Sequence, residues 1–244
     1  MTYCCAIRLD AGLVLASDSR TSAGVDDISI YSKMHRFDTT PDRLVVLLSA
    51  GNLATTQTVI RQVERDVGNP EAEHALNRTE HLDEIARYIG GISAEAQTSY
   101  GSSAEQSSPV MEASFILAGQ IGNQPHEAFL IYPLGNYIAA SPTKPFLQIG
   151  ETKYGKPILD RMIDPTVSLE RAARCALISM DAAMRSNLSV GPPIELLISP
   201  ADRHEDARRL RYDEGEPYLT KLREAWADGL NELFVKLPRF DWEA

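Results

Sequence analysis

The sequence predicts an α+β fold in which two antiparallel sheets pack face to face and helices cover both outer faces, a four-layer αββα sandwich. Two observations lead to this prediction. Strand patterns come in two blocks, each followed by helical patterns, whereas a parallel sheet requires strands and helices that alternate. The chain has 244 residues, of which 43% are apolar, and layered folds of about 200–250 residues commonly form one domain. We therefore expect a single domain over residues 1–244.

The first block of strands extends to about Ser49, and short apolar or alternating runs between turn residues predict it. The tripeptide Asp10-Ala11-Gly12 is typical of a three-residue hairpin loop with glycine in the last position. The expected strands are Tyr3–Leu9, Leu13–Ser17, Ile28–Phe37 and Leu44–Ser49.

After this block the hydrophobic period becomes that of a helix. Asn52 is a suitable N-cap for a helix that ends at Val67, because its amide oxygen can accept from the first free backbone N–H groups. A second helix is expected from Leu82 to about Tyr100, and the small polar residues of Gly101–Ser108 predict a loop.

The second half of the chain repeats the order of strands followed by helices. The expected strands are Ala113–Ile121, Ala128–Tyr132, Tyr137–Ser141, Phe146–Ile149 and, later, Ile194–Ser199. The expected helices are Lys153–Met162, Ser168–Arg185 and Glu216–Phe234.

The first hairpin makes a specific prediction about which residues meet. With a three-residue loop, Leu9 pairs with Leu13, so that Thr2 lies opposite Arg20 and Cys4 lies opposite Asp18. Directly opposed residues of an antiparallel pair point to the same face. Thr2, Asp18 and Arg20 are therefore expected to lie together, provided that the loop has this length, because a one-residue slip changes every pair.

Thr2 is a candidate nucleophile because threonine is small enough to allow removal of Met1. Removal would leave a free α-amine on Thr2, with an ordinary pKa of about 7.7–8.0. That amine can act as the base for the hydroxyl of the same residue, which activates the hydroxyl without a histidine. The plain alternative is a threonine at position 2 with no special role.

Three further residues are candidates for the same site, each with a plain alternative. Asp18 follows an apolar strand, where a solvated carboxylate is common. Lys33 is one of several basic residues on a predicted strand. Gly51 lies just before the helix that starts near Asn52, where a backbone N–H can stabilise a developing negative charge, although an ordinary turn explains it equally well.

Composition excludes several classes of function. The 24 Lys and Arg residues against 34 Asp and Glu residues give a formal net charge of −10, which disfavours nucleic acid and anionic membranes as partners. The three cysteines form neither a disulfide framework nor a metal-binding spacing, so we expect no metal and no cofactor. Free thiols and the absence of a recognisable secretion signal predict a cytoplasmic protein.

The pattern Thr2, Ser17-Asp18-Ser19-Arg20, Lys33 and Ala50-Gly51 resembles that of proteasome β-type subunits, which are N-terminal nucleophile hydrolases. Further segments resemble Anbu, the bacterial group of ancestral β subunits. These segments are Thr2–Leu9, Ala16–Thr21, Ile149–Pro157 and Ser189–Pro193.

This resemblance implies a threonine peptidase and assigns a role to each matching residue. Thr2 would be both nucleophile and base, Lys33 would lower the pKa of its amine, and Asp18 would orient Lys33. The N–H of Gly51 would face the oxyanion, and Ser189 would belong to the catalytic group. The residues expected to bind the substrate side chain are Thr21, Tyr31, Ser49 and Leu53.

The chain departs from the pattern of related subunits in the spacing from Asp18 to Lys33, which is one residue shorter, and at two further places. Glu151-Thr152 stands where many of them carry a Ser-Gly pair, and their Asp-x-x-Ser reads Ser186-Asn187-Leu188-Ser189 here, so that only Ser189 matches. Two alternatives therefore stay open: an amidohydrolase that cleaves a small non-peptide amide, and an assembly subunit with little catalysis.

The resemblance also implies partners. It predicts a homo-oligomer, either a ring or an open spiral, whose substrate is a peptide or an unfolded protein. The sequence identifies no unfoldase partner.

Overall fold

The computed structural model describes residues 2–22, 28–37, 40–67, 69, 71–72, 76–102 and 111–243. Within these residues the strands are β1 (Tyr3–Leu9), β2 (Gly12–Ser17), β3 (Arg20–Ser22), β4 (Ile28–Ile30), β5 (Met34–Arg36), β6 (Arg43–Gly51), β7 (Ala113–Ile121), β8 (Glu127–Ile131), β9 (Tyr137–Ala139), β10 (Phe146–Gly150), β11 (Ile194–Pro200) and β12 (Arg208–Tyr212). The α-helices are α1 (Leu53–Val67), α2 (Leu82–Ser102), α3 (Lys156–Met162), α4 (Leu169–Ser186) and α5 (Pro217–Val235).

Two five-stranded sheets form the centre of the molecule, and every strand pair in them is antiparallel. Sheet one has the order β10-β1-β2-β11-β12, and sheet two has the order β5-β6-β7-β8-β9. The strands β3 and β4 form a separate two-stranded sheet. The predicted architecture of two antiparallel sheets is confirmed.

The alternation of side chains along β1 shows how the layers are built. Cys4 and Ala6 point inward, to a core shared with residues of sheet two such as Val46 and Leu48. Tyr3, Cys5 and Ile7 point outward, to a second core that α3, α4 and α5 cover. A third core joins sheet two to α1 and α2. The order of layers is therefore helix, sheet, sheet, helix, as the sequence predicts.

The helices begin close to where the sequence predicts. The side-chain oxygen of Asn52 accepts from the N–H groups of Ala54 at 2.9 Å and Thr55 at 3.3 Å, so that Asn52 caps α1. Ser168 caps α4 by accepting from the N–H of Arg171. None of the helices in the described part of the chain is long and apolar enough to cross a membrane.

The predicted register of the first hairpin is wrong by one residue. Gly12 belongs to β2 and pairs with Leu9, so that Cys4 lies opposite Ser17 and not opposite Asp18. The loop contains two residues because Gly12 also pairs with Pro200 of β11, which draws it into the sheet. In the observed register Thr2 also no longer lies opposite Arg20, whose guanidinium donates to the carbonyl of Leu188 at 2.9 Å.

The predicted strand Ile28–Phe37 is also wrong as a single element. It contains β4, which pairs with β3, and β5, which pairs with β6 in sheet two. Between them lie Tyr31, Ser32 and Lys33, in irregular backbone. The segment changes its strand partner here because β3 and β6 belong to different sheets.

Other differences are smaller. β12 was not predicted, because this edge strand is rich in arginine and exposed along most of its length, which leaves no apolar alternation to detect. Helix α3 begins at Lys156 and not at Lys153. Helix α2 continues through Gly101 and Ser102, whereas residues 103–108 of the predicted loop Gly101–Ser108 lie outside the described residues.

Candidate active site

Thr2 lies at the start of β1, next to the end of β10. Its carbonyl accepts a hydrogen bond of 2.6 Å from the N–H of Glu151. Gly150 makes this close approach possible, because a Cβ at that position would lie 2.0 Å from the carbonyl oxygen of Thr2. Gly150 also has φ = +81°, which disfavours other residues. The backbone of Thr2 is therefore held directly by the strand beside it.

Asp18 and Lys33 form a buried ion pair next to this position. The Nζ of Lys33 lies 2.8 Å from the Oδ1 of Asp18 and also donates to the carbonyl of Arg20 at 2.6 Å. The same Oδ1 accepts from the N–H of Tyr3 at 3.0 Å, and Oδ2 accepts from the N–H of Gly191 at 3.2 Å. Three donors thus fix the carboxylate although it has no access to solvent.

The ionisation of Asp18 reflects two opposed causes. Burial raises the pKa of its carboxyl group, because desolvation disfavours the charged form. The ammonium group of Lys33 and the N–H groups of Tyr3 and Gly191 act in the opposite direction. The pair can therefore keep a cation beside Thr2 as long as both partners are present.

These residues border a cleft of about 580 Å³. Of the predicted catalytic residues, Thr2, Lys33 and Gly51 line it. All four predicted substrate-binding residues, Thr21, Tyr31, Ser49 and Leu53, line it as well.

The remaining two predicted catalytic residues do not line the cleft. Asp18 is fully buried, and it is connected to the cleft by its hydrogen bond with Lys33, which lines the cleft. Ser189 lies in the loop between α4 and β11, where its N–H donates to the Oδ1 of Asn187 at 3.0 Å.

One wall of the cleft, which α1 supplies, was not predicted from the sequence. Thr56, Gln57, Ile60, Arg61 and Glu64 line the cleft together with Leu53. Their spacing of three or four residues from Leu53 onward places them on one side of a helix, so Leu53 alone was a sufficient signal to find them.

His35 of β5 also lines the cleft and was not predicted. Burial lowers the pKa of its imidazole, while the carboxylates of Glu195 and Glu64 act in the opposite direction. Nothing in the sequence pattern distinguishes it from a surface histidine.

The described residues show no metal site of three or more ligands. No group of His, Cys, Asp and Glu side chains among them could hold a metal ion. The chemistry that the arrangement can supply is that of a hydroxyl, an ammonium–carboxylate pair and backbone N–H groups at the start of a helix.

Three solved structures of Anbu proteins are similar to this chain over almost its full length. The chain is similar to the solved structure of Anbu (ancestral beta-subunit) from Yersinia bercovieri, with 40% identity, a TM-score of 0.91 and coverage of 100% of both chains. It is similar to an Anbu (Gly-1) mutant from Hyphomicrobium sp. strain MC1, with 40% identity, a TM-score of 0.89 and coverage of 99% of this chain and 100% of that one.

A third solved structure, titled as the helical assembly of the Anbu complex from Pseudomonas aeruginosa, has 38% identity, a TM-score of 0.90 and coverage of 99% of both chains. No protein-family model and no curated protein matches the chain.

The four-layer sandwich, with a threonine at the start of a central strand beside a cleft, is that of the proteasome-like β subunits, which share the N-terminal nucleophile hydrolase fold. Within that class, the identity and coverage over the full chain show the family. The chain belongs to the Anbu family.

Proposed function

We propose that this protein is a threonine peptidase of the proteasome type, which hydrolyses peptide bonds in peptides or unfolded proteins through Thr2. One observation supports the proposal most directly. Thr2, Lys33 and Gly51 line the same cleft, and the Lys33 ammonium is paired with the buried carboxylate of Asp18. These groups come from four separate places in the chain.

The proposed reaction begins after removal of Met1, which frees the α-amine of Thr2. Lys33, as a nearby cation, lowers the pKa of this amine below its ordinary value and leaves more of it as free base at neutral pH. The amine takes the hydroxyl proton while the Thr2 oxygen attacks the substrate carbonyl, and the Gly51 N–H stabilises the oxyanion. The amine returns the proton to the leaving nitrogen, and water then hydrolyses the acyl-enzyme.

Two measurements on the purified protein test this proposal. The intact mass is expected to lack Met1, and an irreversible peptide electrophile, such as a peptide vinyl sulfone, is expected to label Thr2. A Thr2→Ala variant is the matched control and should show no label. Retention of Met1, or failure of the wild-type protein to react, would support the assembly subunit, whereas hydrolysis of small non-peptide amides alone would support the amidohydrolase.

We also propose that the protein forms a homo-oligomer. Support comes from its relative from Pseudomonas aeruginosa, whose structure is titled as a helical assembly. Large apolar side chains near the end of α5 and beyond it are exposed, among them Leu233, Phe234, Phe240 and Trp242, and a second copy of the chain would remove them from water.

Finally, we propose that the protein is cytoplasmic. Cys4, Cys5 and Cys175 are free and buried, which suits a reducing compartment. Fractionation of the source cells, with the protein detected by an antibody, tests this proposal.

A further inference from the structure

Glu151 is a buried carboxylate that immediately follows Gly150 of β10. Only 6% of its surface is exposed. Its backbone N–H donates to the carbonyl of Thr2, and its Oε1 accepts from the N–H of Lys153 at 3.2 Å. Its Oε2 accepts from the side-chain Nδ2 of Asn187 at 2.9 Å. One residue thus contacts Thr2 through its backbone and a distant loop through its side chain.

Asn187 connects this contact to the loop between α4 and β11. It follows the last residue of α4, and its Oδ1 accepts from the N–H of Ser189. Two residues further along, the N–H of Gly191 donates to Asp18, while the carbonyl of Gly191 accepts from the N–H groups of Ser19 and Arg20 at 3.3 Å. The loop is therefore bound to the Asp18 segment at one end and to Glu151 at the other.

These bonds link Thr2 to the Asp18–Lys33 pair through Glu151 and the loop of Asn187. Thr2 is bonded to Glu151, Glu151 to Asn187, and the loop of Asn187 to Asp18, whose other oxygen holds Lys33. Neither Glu151 nor Asn187 lines the cleft, so neither is expected to touch a substrate.

We propose that Glu151 and Asn187 are positioning residues, which hold the backbone of Thr2 at a fixed place relative to the Asp18–Lys33 pair. The inference rests on the proposed function of Thr2 as a nucleophile. Displacement of a reacting group by about 1 Å can reduce a rate about 100-fold. Loss of the Glu151–Asn187 bond should therefore slow the reaction of Thr2 without weakening substrate binding.

An exchange of partners tests the pair directly. The Asn187→Asp variant places two carboxylates against each other, and the double variant Glu151→Gln/Asn187→Asp restores one donor and one acceptor with their positions reversed. We expect Asn187→Asp to lower the maximal rate of labelling by a peptide vinyl sulfone about 10- to 100-fold. The reagent concentration at half-maximal rate should stay unchanged, and the double variant should recover most of the rate.

Hydrogen exchange provides a readout that does not depend on activity. The Glu151 N–H that donates to Thr2 is expected to lose protection in Asn187→Asp and to regain it in the double variant. The matched control is Glu127→Gln, which removes a half-buried carboxylate near Arg8, at the opposite end of β1, and should leave both readouts unchanged.

The outcomes separate this inference from the proposed function. If the wild-type protein is not labelled at Thr2, the proposed peptidase fails, and hydrogen exchange still decides whether the pair positions Thr2. If Asn187→Asp keeps full protection and full labelling, or if the double variant is no better than the single one, the positioning role is refuted.

Discussion

The Asp18–Lys33 pair is the residue-scale feature on which the candidate site depends. A buried ion pair gains stability only when its geometry and its additional hydrogen bonds compensate for desolvation of both charges. Here Asp18 receives two backbone N–H groups in addition to the ammonium, and Lys33 also binds the carbonyl of Arg20. The pair is therefore strongly oriented as well as charged.

The Lys33→Ala variant tests the role of the cation. Without the ammonium, the amine of Thr2 keeps a higher pKa and the hydroxyl is less activated, so we expect the rate of Thr2 labelling to fall at least about 100-fold. The fold should stay intact by circular dichroism. The matched control is Lys144→Ala, which removes an exposed lysine and should react like the wild-type protein; full labelling of Lys33→Ala would contradict the assigned role.

The same variant has a predictable dependence of stability on pH. Removal of Lys33 eliminates the main influence that opposes burial, so the pKa of Asp18 should rise further above its value in the unfolded chain. A raised pKa in the folded state means that stability is lost as the pH rises through it. The deficit in unfolding free energy relative to wild type should thus be larger at pH 8 than at pH 5, as measured by urea unfolding.

At the scale of elements, the position of α2 depends on a glycine pair in its middle. Gly90 faces the turn between β8 and β9, where a Cβ would lie 2.1 Å from the carbonyl oxygen of Gly135. The neighbouring Gly91 is exposed, and among the described residues no atom outside its own stretch of helix lies within 4 Å of the place of a Cβ. Close packing therefore requires glycine at position 90, whereas position 91 has room for a larger side chain.

Substitution by alanine should lower the stability of the folded protein at position 90 and raise it at position 91. Gly90→Ala forces the helix away from the turn, and such overpacking costs about 1–3 kcal/mol. Gly91→Ala reduces the freedom of the unfolded chain in a helix that continues around it, and should gain about 0.5–1 kcal/mol. Urea unfolding of both variants measures the difference, and equal effects would contradict the close approach of α2 to Gly135.

At the scale of the whole molecule, the end of α5 and the residues that follow it expose large apolar side chains. Phe234 is 70% exposed and Trp242 is 77% exposed, although α5 packs its first turns on the core through Leu219 and Leu222. Apolar side chains gathered in this way favour contact with another protein surface, and the proposed occupant is a second copy.

The double variant Phe234→Ser/Trp242→Ser should therefore weaken self-association. We expect sedimentation velocity to show smaller species than those of the wild-type protein at the same concentration, since less apolar area is removed from water on assembly. The control is Leu134→Ser, which removes an apolar side chain that is 88% exposed in the turn between β8 and β9. An unchanged distribution in the double variant would exclude this surface from assembly.

Much of the architecture was predictable because it depends on local patterns. The alternation along β1 and the helical period of Leu82, Ile85 and Ile89 assign side chains to faces before any contact is known. The cap of α1 at Asn52 follows equally from one residue and its neighbours. In contrast, the predicted register of the first hairpin was wrong because Gly12 pairs with β11, a strand more than 180 residues away in sequence.

The candidate site likewise has some features that the sequence predicts and others that only the tertiary structure shows. The chemical types of Thr2, Asp18, Lys33 and Gly51 point to one reaction, so the sequence could nominate them. It could not show that Lys33 lies in irregular backbone between two strands, or that Asp18 is approached by Gly191. The bond between Glu151 and Asn187 was equally inaccessible, because it joins the ends of two elements that are neighbours only in space.

The sequence by itself determined the layers and most elements and nominated the candidate reactive groups, since each depends on the period and chemistry of residues close together in the chain. Only the tertiary structure decided the strand register, the wall of the cleft made by α1 and the connection that holds Thr2 to Asp18. Those features depend on distances between segments far apart in sequence, which are set by packing of the two sheets and not by any local preference.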